Sequence, residues 1–340
     1  ANHISSHEMP TKPAAETKDN QPGVGAIKLS NGVEVPALGF GTAFGNWTDP
    51  KKFSGFLPEQ AYSAIPMADA AGYQHFDCAR AYGTERHLGM YIAREMMAGR
   101  RKREDFFITT KLAHPDAPPH VNISHRNTFN MATPGLDLRN KILDDFDDSL
   151  SRLGVGQVDL LLMHWPGDFG SKDKKTNRSA RIAIWKTFEE LYKKQAVRAI
   201  GVCNFTEDHL KELKEDGATT MPMVNQLEIN PYCQQKEILA YMKENSIVAE
   251  AYAPFASGAG GLLKDQVIVK IGEKYGKNVG QVILRWLVQK GCIGLPKSSN
   301  FKRAKGNLEV FDFELSEDDM KAIAALDKGF RTCPDPSEIP

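Results

Sequence analysis

Four side chains in the first half of the chain could together deliver a proton: Asp77 and Tyr82 in GYQHFDCARAYGTERHLG, Lys111 in FFITTK, and His164 in VDLLLMHW. A tyrosine phenol has an unperturbed pKa of about 10, which is too high for easy proton exchange near neutrality. A buried ammonium beside the phenol would stabilise the phenolate and lower that pKa. A carboxylate paired with the ammonium would hold it in place and keep it charged.

Such a set of groups suits the reduction of a carbonyl. His164 could orient the carbonyl oxygen by donating a hydrogen bond, while Tyr82 gives its proton to that oxygen as it becomes an alkoxide. A hydride donor would supply the other half of the reaction. Asp77 and Tyr82 taken alone also fit a turn carboxylate and a buried ring, so the hypothesis depends on whether the fold brings these side chains together.

Short apolar runs alternate with amphipathic segments along most of the chain. The eight runs are LGFGT (Leu38 to Thr42), HFD (His75 to Asp77), FFITTK (Phe106 to Lys111), VDLLLMHW (Val158 to Trp165), AIGVCN (Ala199 to Asn204), MVNQLEI (Met223 to Ile229), IVAEAYAPF (Ile247 to Phe255) and CIGLPKS (Cys292 to Ser298). Buried strands separated by helices predict parallel β-α units with right-handed crossovers. This repeat predicts an α/β fold, a closed (β/α)8 TIM barrel, and GFGTAFG lacks the GxGxxG pattern of a doubly wound dinucleotide domain.

The amphipathic segments are Glu59 to Ala71, Thr84 to Ala98, Leu138 to Leu153, Ile182 to Lys194, Thr206 to Asp216, Gln235 to Asn245, Val267 through Trp286, and Phe301 to Asn307. IKLSNGVEV predicts an N-terminal hairpin with a type I′ turn at Asn31-Gly32, placed to plug the bottom of the barrel. Ser316 to Leu326 predicts an extra C-terminal helix. Residues 1–25 read as a disordered polar tail whose first eight residues are a cloning remnant, and residues 26–340 as one domain.

The composition argues against several classes of protein. Lys+Arg and Asp+Glu are both 43, so no net charge favours nucleic acid or an anionic membrane. The five cysteines never form CxxC, and no apolar run has the length of a membrane span. We therefore expect a cytoplasmic protein with free thiols, monomeric by default, whose partner is a small-molecule carbonyl substrate rather than a nucleic acid or a membrane.

In a barrel of this kind the active site is built at the C-terminal ends of the strands. Polar side chains occur at or near almost every predicted end: Asp77, Lys111, His164, Asn204, Gln226 with Glu228, Tyr252, and Lys297 with Ser298. Core packing alone would not require ionisable groups at so many equivalent positions. The pattern therefore predicts that these side chains face one another around a common site.

The segments GFGT, GYQHFDCARAYGTERHLG, ITTKL, DLLLMHWP, GVCNF, NQLEINPY, AYAPF and LPKSSN resemble the successive signatures of the aldo-keto reductase superfamily, from Leu38 to about Leu326. The separations of Asp77 from Tyr82 and from Lys111, 5 and 34 residues, are those typical of the family. The resemblance implies that Asp77, Tyr82, Lys111 and His164 form a catalytic tetrad. It also implies NAD(P)H-dependent reduction of an aldehyde or ketone to the alcohol, with Tyr82 as the general acid.

The resemblance further implies a bound NADPH (NADP+), with NADH possible at lower preference. Asn204 and Gln226 would hold the nicotinamide carboxamide, and Tyr252 would stack on the ring. The remaining implied contacts are Lys297, Ser298 and Arg303 with the 2′-phosphate and Asn307 with the adenine, and the expected pocket walls are Trp47 and Trp165. Two cations, Lys297 and Arg303, and the Ser298 hydroxyl lie around Asn300 and the start of a predicted helix, which is a natural place for an anion.

Three features depart from the family pattern. Cys203 stands where a serine is usual and is the weaker hydrogen-bond donor, and Gly306 replaces an acidic residue before Asn307. The chain between Lys111 and His164 is longer by roughly twenty residues, inserted within about 113–140. Loops at that end of a barrel shape the pocket, so we expect the insertion to form a wall or lid.

Several of these residues also allow other interpretations. His114, His120 and His125 fit no metal-binding spacing, so we expect exposed loop histidines and no metal site. Tyr232 and Lys236 reproduce a YxxxK spacing but lack the Gly-rich turn that would give it meaning. Glu228 could serve as a base or as a structural group. The alternative function is a non-catalytic NADPH-binding regulatory subunit or redox sensor on the same barrel.

Overall fold

The computed structural model describes residues 25–46, 55–115, 123, 125–169, 171 and 173–340. The strands are β1 (Ala26–Lys28), β2 (Glu34–Pro36), β3 (Gly39–Gly41), β4 (Gly45–Asn46), β5 (Gly55–Phe56), β6 (His75–Asp77), β7 (Phe107–Leu112), β8 (Val158–Met163), β9 (Val197–Cys203), β10 (Val224–Glu228), β11 (Val248–Tyr252) and β12 (Ile293–Gly294). The α-helices are α1 (Ala61–Ala71), α2 (Glu85–Met97), α3 (Gly135–Leu153), α4 (Lys174–Lys193), α5 (Glu207–Glu215), α6 (Lys236–Glu244), α7 (Gln266–Tyr275), α8 (Val279–Gln289), α9 (Phe301–Leu308) and α10 (Glu317–Ala324). Trp47, His120 and the predicted tail up to residue 24 lie outside these ranges.

Eight of these strands form a parallel sheet that closes on itself. Their order is β3, β6, β7, β8, β9, β10, β11 and β12, and a parallel bridge from Leu38 to Gly294 joins the two edges. Each of the predicted apolar runs overlaps one of these strands, which confirms the (β/α)8 barrel. Strands β7 and β8 are buried at every position, as expected for strands covered by helices on one side and the barrel interior on the other.

The N-terminal hairpin lies against the bottom of the barrel. Strands β1 and β2 pair antiparallel, and Asn31 Nδ2 donates to the carbonyl of Arg198, near the start of β9, at 3.0 Å. The hairpin is therefore confirmed, but the predicted type I′ turn is wrong. Leu29 pairs with Val33, and only Gly32 of the Asn-Gly pair has a positive φ, of 88°. The loop is a three-residue turn with glycine at the left-handed bulge position.

Two helix boundaries differ from the sequence prediction. The helix predicted from Val267 through Trp286 is divided into α7 and α8, because Gly276 takes a left-handed conformation with φ 65° and Asn278 caps α8 at Gln281 N. The spacing of apolar residues indicates which face of a helix is buried, but it does not indicate where the backbone leaves the helical conformation. Helix α4 begins at Lys174, eight residues before the predicted start, where the Asp173 side chain caps Thr176 N. Helix α10, capped by Ser316, confirms the extra C-terminal helix.

Helices α2 and α3 pack closely at Gly89. A Cβ atom at Gly89 would lie 2.5 Å from the carbonyl oxygen of Arg152 and 2.6 Å from the carbonyl carbon of Leu153. Because backbone atoms cannot move aside as a flexible side chain can, this contact requires glycine. Helix α2 follows the Tyr82 turn directly, so the contact also fixes the height of that turn above the barrel.

None of the helices in the described part of the chain has the length and apolar character that a membrane span requires.

We predict opposite effects of alanine at two helical glycines. Gly89→Ala should lower the free energy of unfolding by about 1–3 kcal/mol, since the added methyl group meets backbone atoms of α3. Gly306→Ala, in α9 with open space around its Cα, should raise it by about 0.5–1 kcal/mol. Urea unfolding of the two variants and the wild type measures both effects, and a shift of the same sign in both would contradict the packing described for α2 and α3.

Candidate active site

The ends of three adjacent strands bring the predicted tetrad together. Asp77 ends β6, Lys111 lies on β7, His164 follows β8, and Tyr82 lies on a short 3-10 turn after β6. Lys111 Nζ donates to Asp77 Oδ1 at 2.6 Å and to Tyr82 Oη at 3.3 Å. Tyr82 Oη is also 3.3 Å from His164 Nε2. The phenol oxygen is therefore bracketed by a cation and an imidazole.

The Lys111 ammonium is fully buried and held by oxygen atoms. Besides the carboxylate and the phenol, Nζ donates to the carbonyl of Cys78 at 3.2 Å. Burial, the largest single influence, would lower the pKa of Lys111, but Asp77, Tyr82 and Cys203 together outweigh burial and raise that pKa above its usual value. The lysine is therefore charged throughout the neutral range.

Tyr82 and His164 both carry the uncharged form near neutral pH. Burial raises the pKa of Tyr82, and the charge of Lys111 opposes this without reversing it. The expected net lowering of the phenol pKa is therefore wrong for this closed site, because removal from water outweighs the ammonium. Burial, together with His114 and Lys111, lowers the pKa of His164 well below its usual value. The site thus presents a protonated phenol and a neutral imidazole.

The turn that carries Tyr82 is fixed by hydrogen bonds at both of its ends. At the start, the Thr42 hydroxyl donates to the Asp77 carbonyl at 2.8 Å and lies 2.8 Å from the Thr84 hydroxyl. After the turn, the fully buried Glu85 carboxylate accepts from Thr110 Oγ1 at 2.6 Å and from Arg152 Nε at 2.7 Å. Each contact joins a different element to the turn, so the phenol is held in place by the barrel and by α3 together.

His114 belongs to the site, which the sequence interpretation missed. Its ring packs edge-on against His164 with centroids 4.7 Å apart, and the Phe56 ring covers Tyr82 at 4.8 Å and lies 6.3 Å from His114. The expectation of an exposed loop histidine is therefore wrong for His114. The usable signal was position, since His114 follows Lys111 by three residues at the end of a strand that already carries a site residue.

No metal site accompanies these histidines among the described residues, where no cluster of three or more His, Cys, Asp or Glu side chains could hold a metal ion. His125 is partly buried, and burial lowers its pKa. The described part of the insertion is attached to its surroundings rather than extended into solvent. The carbonyl of Arg126 accepts from Arg80 Nε at 3.2 Å, and Met131 N donates to Asp168 at 3.2 Å.

Asn204 and Tyr252 lie beside the tetrad and are bonded to each other. Asn204 Nδ2 donates to the carbonyl of His164 at 3.1 Å, and Asn204 Oδ1 accepts from Tyr252 Oη at 2.7 Å. Asn204 takes a left-handed backbone conformation, with φ 62°. That conformation turns its amide toward the end of β8, so its place next to the phenol and imidazole is set by the backbone.

Gln226 is hydrogen-bonded to carboxyl groups of the barrel interior, and its implied contact with a nicotinamide stays a prediction. Its Nε2 donates to Asp77 Oδ1 at 2.9 Å and to Glu250 Oε2 at 2.6 Å, and its Oε1 is 3.6 Å from Cys203 Sγ. Both amide hydrogens are therefore directed at carboxyl oxygens of the barrel interior. Only the amide oxygen remains for another partner.

A second group of predicted residues meets at the start of α9. Ser298 Oγ accepts from Asn300 N at 3.1 Å, and Asn300 Oδ1 caps the helix at Arg303 N. Lys297 is directed elsewhere: its Nζ donates to the carbonyl of Ala43 at 2.6 Å and lies 5.5 Å from the centre of the Phe44 ring. Asn300 thus connects the Ser298 hydroxyl with the backbone N–H of Arg303, whereas Lys297 is directed at Ala43. Asn307, on the same helix, is buried.

Glu228 is a structural anchor for the C-terminal segment. Its carboxylate accepts from Thr332 N at 2.8 Å, Thr332 Oγ1 at 2.7 Å and Cys333 N at 2.9 Å. All available oxygen positions facing the segment are used, which favours the structural reading over the reading as a base. Trp165 is buried with its ring 4.6 Å from that of Phe169, and its predicted role as a pocket wall stays a prediction.

Comparison with known proteins places this geometry in a family. The model of the Aldo/keto reductase family matches residues 37–328. The chain is 37% identical over 313 residues to a glyoxal reductase of Bacillus subtilis, covering 92% of this chain and 96% of that protein. It is 37% identical to a morphine 6-dehydrogenase of Pseudomonas putida, covering 92% and 95%, and 33% identical to the methylglyoxal reductase DkgA of Escherichia coli strain K12, covering 92% and 97%.

Solved structures agree in fold and in sequence. The aldo-keto reductase AKR2E5, in complex with NADPH, superposes with a TM-score of 0.75 at 33% identity, covering 92% of this chain and 90% of that one. An aldo/keto reductase from Brucella melitensis has a TM-score of 0.71 at 32% identity, covering 89% and 100%. With the barrel, the strand-end geometry and these relatives in agreement, the chain belongs to the aldo/keto reductase family.

Proposed function

We propose that this chain is an NADPH-dependent carbonyl reductase in which Tyr82 is the proton donor. The observation that supports this most directly is the position of Tyr82 Oη, 3.3 Å from both Lys111 Nζ and His164 Nε2. A substrate carbonyl oxygen placed against the phenol and the imidazole would be within reach of both hydrogen-bond donors. The related glyoxal and methylglyoxal reductases carry out reductions of the same class, as their names state.

Each residue of the tetrad has a separate task in this proposal. His164 orients the carbonyl oxygen, and a neutral imidazole can do so through one N–H group. Tyr82 holds its proton near neutral pH and gives it to the developing alkoxide, a much stronger base than a phenolate. Lys111 stabilises the phenolate that forms, and Asp77 balances the charge of Lys111.

The residues around the site fit a phosphorylated nicotinamide dinucleotide. Ser298 and the exposed Arg303 flank Asn300, which caps the start of α9. A phosphate there would take the Arg303 guanidinium and the Ser298 hydroxyl, which now donates to the Asn300 carbonyl at 3.1 Å. Asn204 and the Tyr252 ring lie next to the tetrad, where they would hold the nicotinamide. When bound there, the cofactor would supply the hydride. NADPH is the cofactor named for AKR2E5, and NADP for the related silkworm enzyme AKR2E4.

Binding of the nicotinamide would require a local exchange of hydrogen bonds. Asn204 Oδ1 accepts from the Tyr252 hydroxyl, so this bond must open or be shared if the amide is to reach a carboxamide. Gln226 could contribute only its oxygen while its amide hydrogens remain directed at carboxyl groups. In the proposed complex Asn204 is therefore the main carboxamide partner, and Gln226 a lesser one.

Small aldehydes with a neighbouring oxygen are the first substrates to test. Two of the relatives above are named for glyoxal and methylglyoxal. The Phe56 ring covers Tyr82, which is only 8% exposed. A phenol covered to this extent favours small substrates over bulky ones.

We predict that Tyr82→Phe removes most of the activity and spares cofactor binding. Loss of a general acid typically lowers kcat by about 10²–10⁴-fold. Oxidation of NADPH with methylglyoxal, followed by absorbance, gives kcat, and fluorescence titration gives the NADPH affinity. Tyr62→Phe is the matched control, since Tyr62 is 72% exposed on α1. Equal, measurable kcat values for wild type and Tyr82→Phe would exclude Tyr82 as the proton donor, and a wild type that oxidises no NADPH with any aldehyde would support the non-catalytic NADPH-binding subunit instead.

We predict that Arg303→Ala weakens NADPH binding more than NADH binding. The guanidinium is expected to pair with the 2′-phosphate that only NADPH carries, so the NADPH Kd should rise by about tenfold or more while the NADH Kd changes little. Lys305→Ala, in the last turn of the same helix, is the control for a general loss of positive charge. An equal change in both Kd values for Arg303→Ala would exclude a 2′-phosphate contact for this residue.

A further inference from the structure

A row of buried polar side chains lies beneath the tetrad in the barrel interior. Glu250 on β11, Gln226 on β10 and His75 on β6 are each at most 1% exposed. The interior of such a barrel is ordinarily filled by branched apolar side chains. A carboxyl group in that position carries a substantial desolvation cost, so its presence calls for a physical reason.

Glu250 is connected to the tetrad through one intermediate side chain. Register pairs Gln226 with Glu250 across adjacent strands, and Gln226 Nε2 donates to Glu250 Oε2 at 2.6 Å. The same nitrogen donates to Asp77 Oδ1 at 2.9 Å, the oxygen that also accepts from Lys111 at 2.6 Å. The connection from Glu250 to the phenol therefore runs through Gln226, Asp77 and Lys111 without a gap.

We propose that Glu250 is a positioning residue that, through Gln226, holds the Asp77 carboxylate in line with Lys111. This inference rests on the proposed function, because it concerns the proton donor of the same reaction. Glu250 touches neither substrate nor reacting atoms. Its effect is to fix the side-chain torsion of Gln226, which in turn fixes which oxygen of Asp77 faces the ammonium.

The ionisation state of Glu250 should make its effect on the site depend on pH. Burial and the neighbouring Asp77 charge raise the pKa of Glu250 to about 8, opposed by its bond to Gln226 and by Lys111. The group is therefore largely a carboxylic acid at pH 7. Above pH 8 it adds a second negative charge beside Asp77, which disfavours the phenolate that Tyr82 must become on giving up its proton.

Among the described residues around Glu250 no other group titrates in this range, since burial raises the pKa of the nearby Cys203 thiol well above its usual value. His75 Nε2 lies 3.7 Å from Glu250 Oε1, but burial, then Lys111, lowers the pKa of His75 to about 3, so this imidazole stays neutral. Thr109 lies against His75 at 2.9 Å and Gln226 faces from β10, and neither ionises. On the other side β12 contributes Ile293. Asp77 and Lys111 are the charged groups that shift the pKa of Glu250.

The proposal is tested first by stability, without cofactor or substrate. The folded-state pKa of Glu250 is raised from a reference value of 4.5 to about 8, so between these values the folded protein binds more protons than the unfolded chain. This group therefore lowers stability progressively as pH rises through that window. Glu250→Gln removes the ionisation, so its Tm relative to wild type should rise between about pH 5 and pH 8 and level off above.

The second test is the pH dependence of kcat. In the wild type we expect kcat to fall several-fold as pH rises through about 8, and in Glu250→Gln that decrease should be absent, since glutamine keeps the acceptor for Gln226 and cannot ionise. Glu250→Met, of similar length without an acceptor, should have a kcat about tenfold below that of Glu250→Gln at every pH and leave the NADPH affinity near that of wild type. A kcat near that of wild type in Glu250→Gln and a low kcat in Glu250→Met would show that the hydrogen-bond acceptor at this position matters, rather than the volume of the side chain.

Two controls separate the possible failures. Glu95→Gln changes another buried glutamate, paired with Arg100 on the outside of α2, and should leave the pH profile unchanged. Tyr82→Phe is measured in parallel: if it is inactive while Glu250→Met and Glu250→Gln both match wild type in kcat and pH profile, the role of Glu250 is overturned and the proposed function stands. If Tyr82→Phe is as active as wild type, the proposed function itself fails.

Discussion

The buried ion pair between Lys111 and Asp77 is the interaction on which the site depends. A fully buried ammonium is stable only if a nearby negative charge and well-placed acceptors replace its lost water, and here Asp77 Oδ1 and the Cys78 carbonyl do so. Removing either partner would leave an uncompensated charge in the barrel. The pair also requires β6 and β7 to be adjacent and parallel, which the register between them provides.

The closed surroundings of the pair explain the protonation states of its neighbours. Tyr82 lies beneath Phe56 and beside His164, and this removal from water keeps the phenol protonated even with a cation 3.3 Å away. In the proposed reaction the cation would act on the phenolate that exists only after the proton has left. Electrostatic stabilisation of a phenolate by an ammonium is larger in a site without water than in solution, because less solvent screens the charge. The same dryness makes the buried Glu250 carboxyl neutral at pH 7.

The sequence predicted the barrel and the tetrad because both depend on order along the chain. Alternation of apolar runs and helices identifies parallel strands, and parallel strands bring residues such as Asp77, Lys111 and His164 to one end. Other features depend on three-dimensional detail that periodicity does not contain. The break at Gly276, the packing of His114 on His164 and the inward direction of Gln226 are examples. Glu250 was missed because a single acid within an apolar run looks the same whether it faces the barrel interior or the helices.

The most direct test of the account is the rate of hydride transfer to a small aldehyde in Lys111→Met, measured in a single turnover by loss of NADPH absorbance. Methionine matches lysine in length and removes the charge. We predict that the rate falls by about 10²-fold or more while the NADPH Kd stays close to that of wild type, since Lys111 acts on Tyr82 rather than on the cofactor. A Lys111→Met variant that is folded and transfers hydride at the wild-type rate would contradict the account.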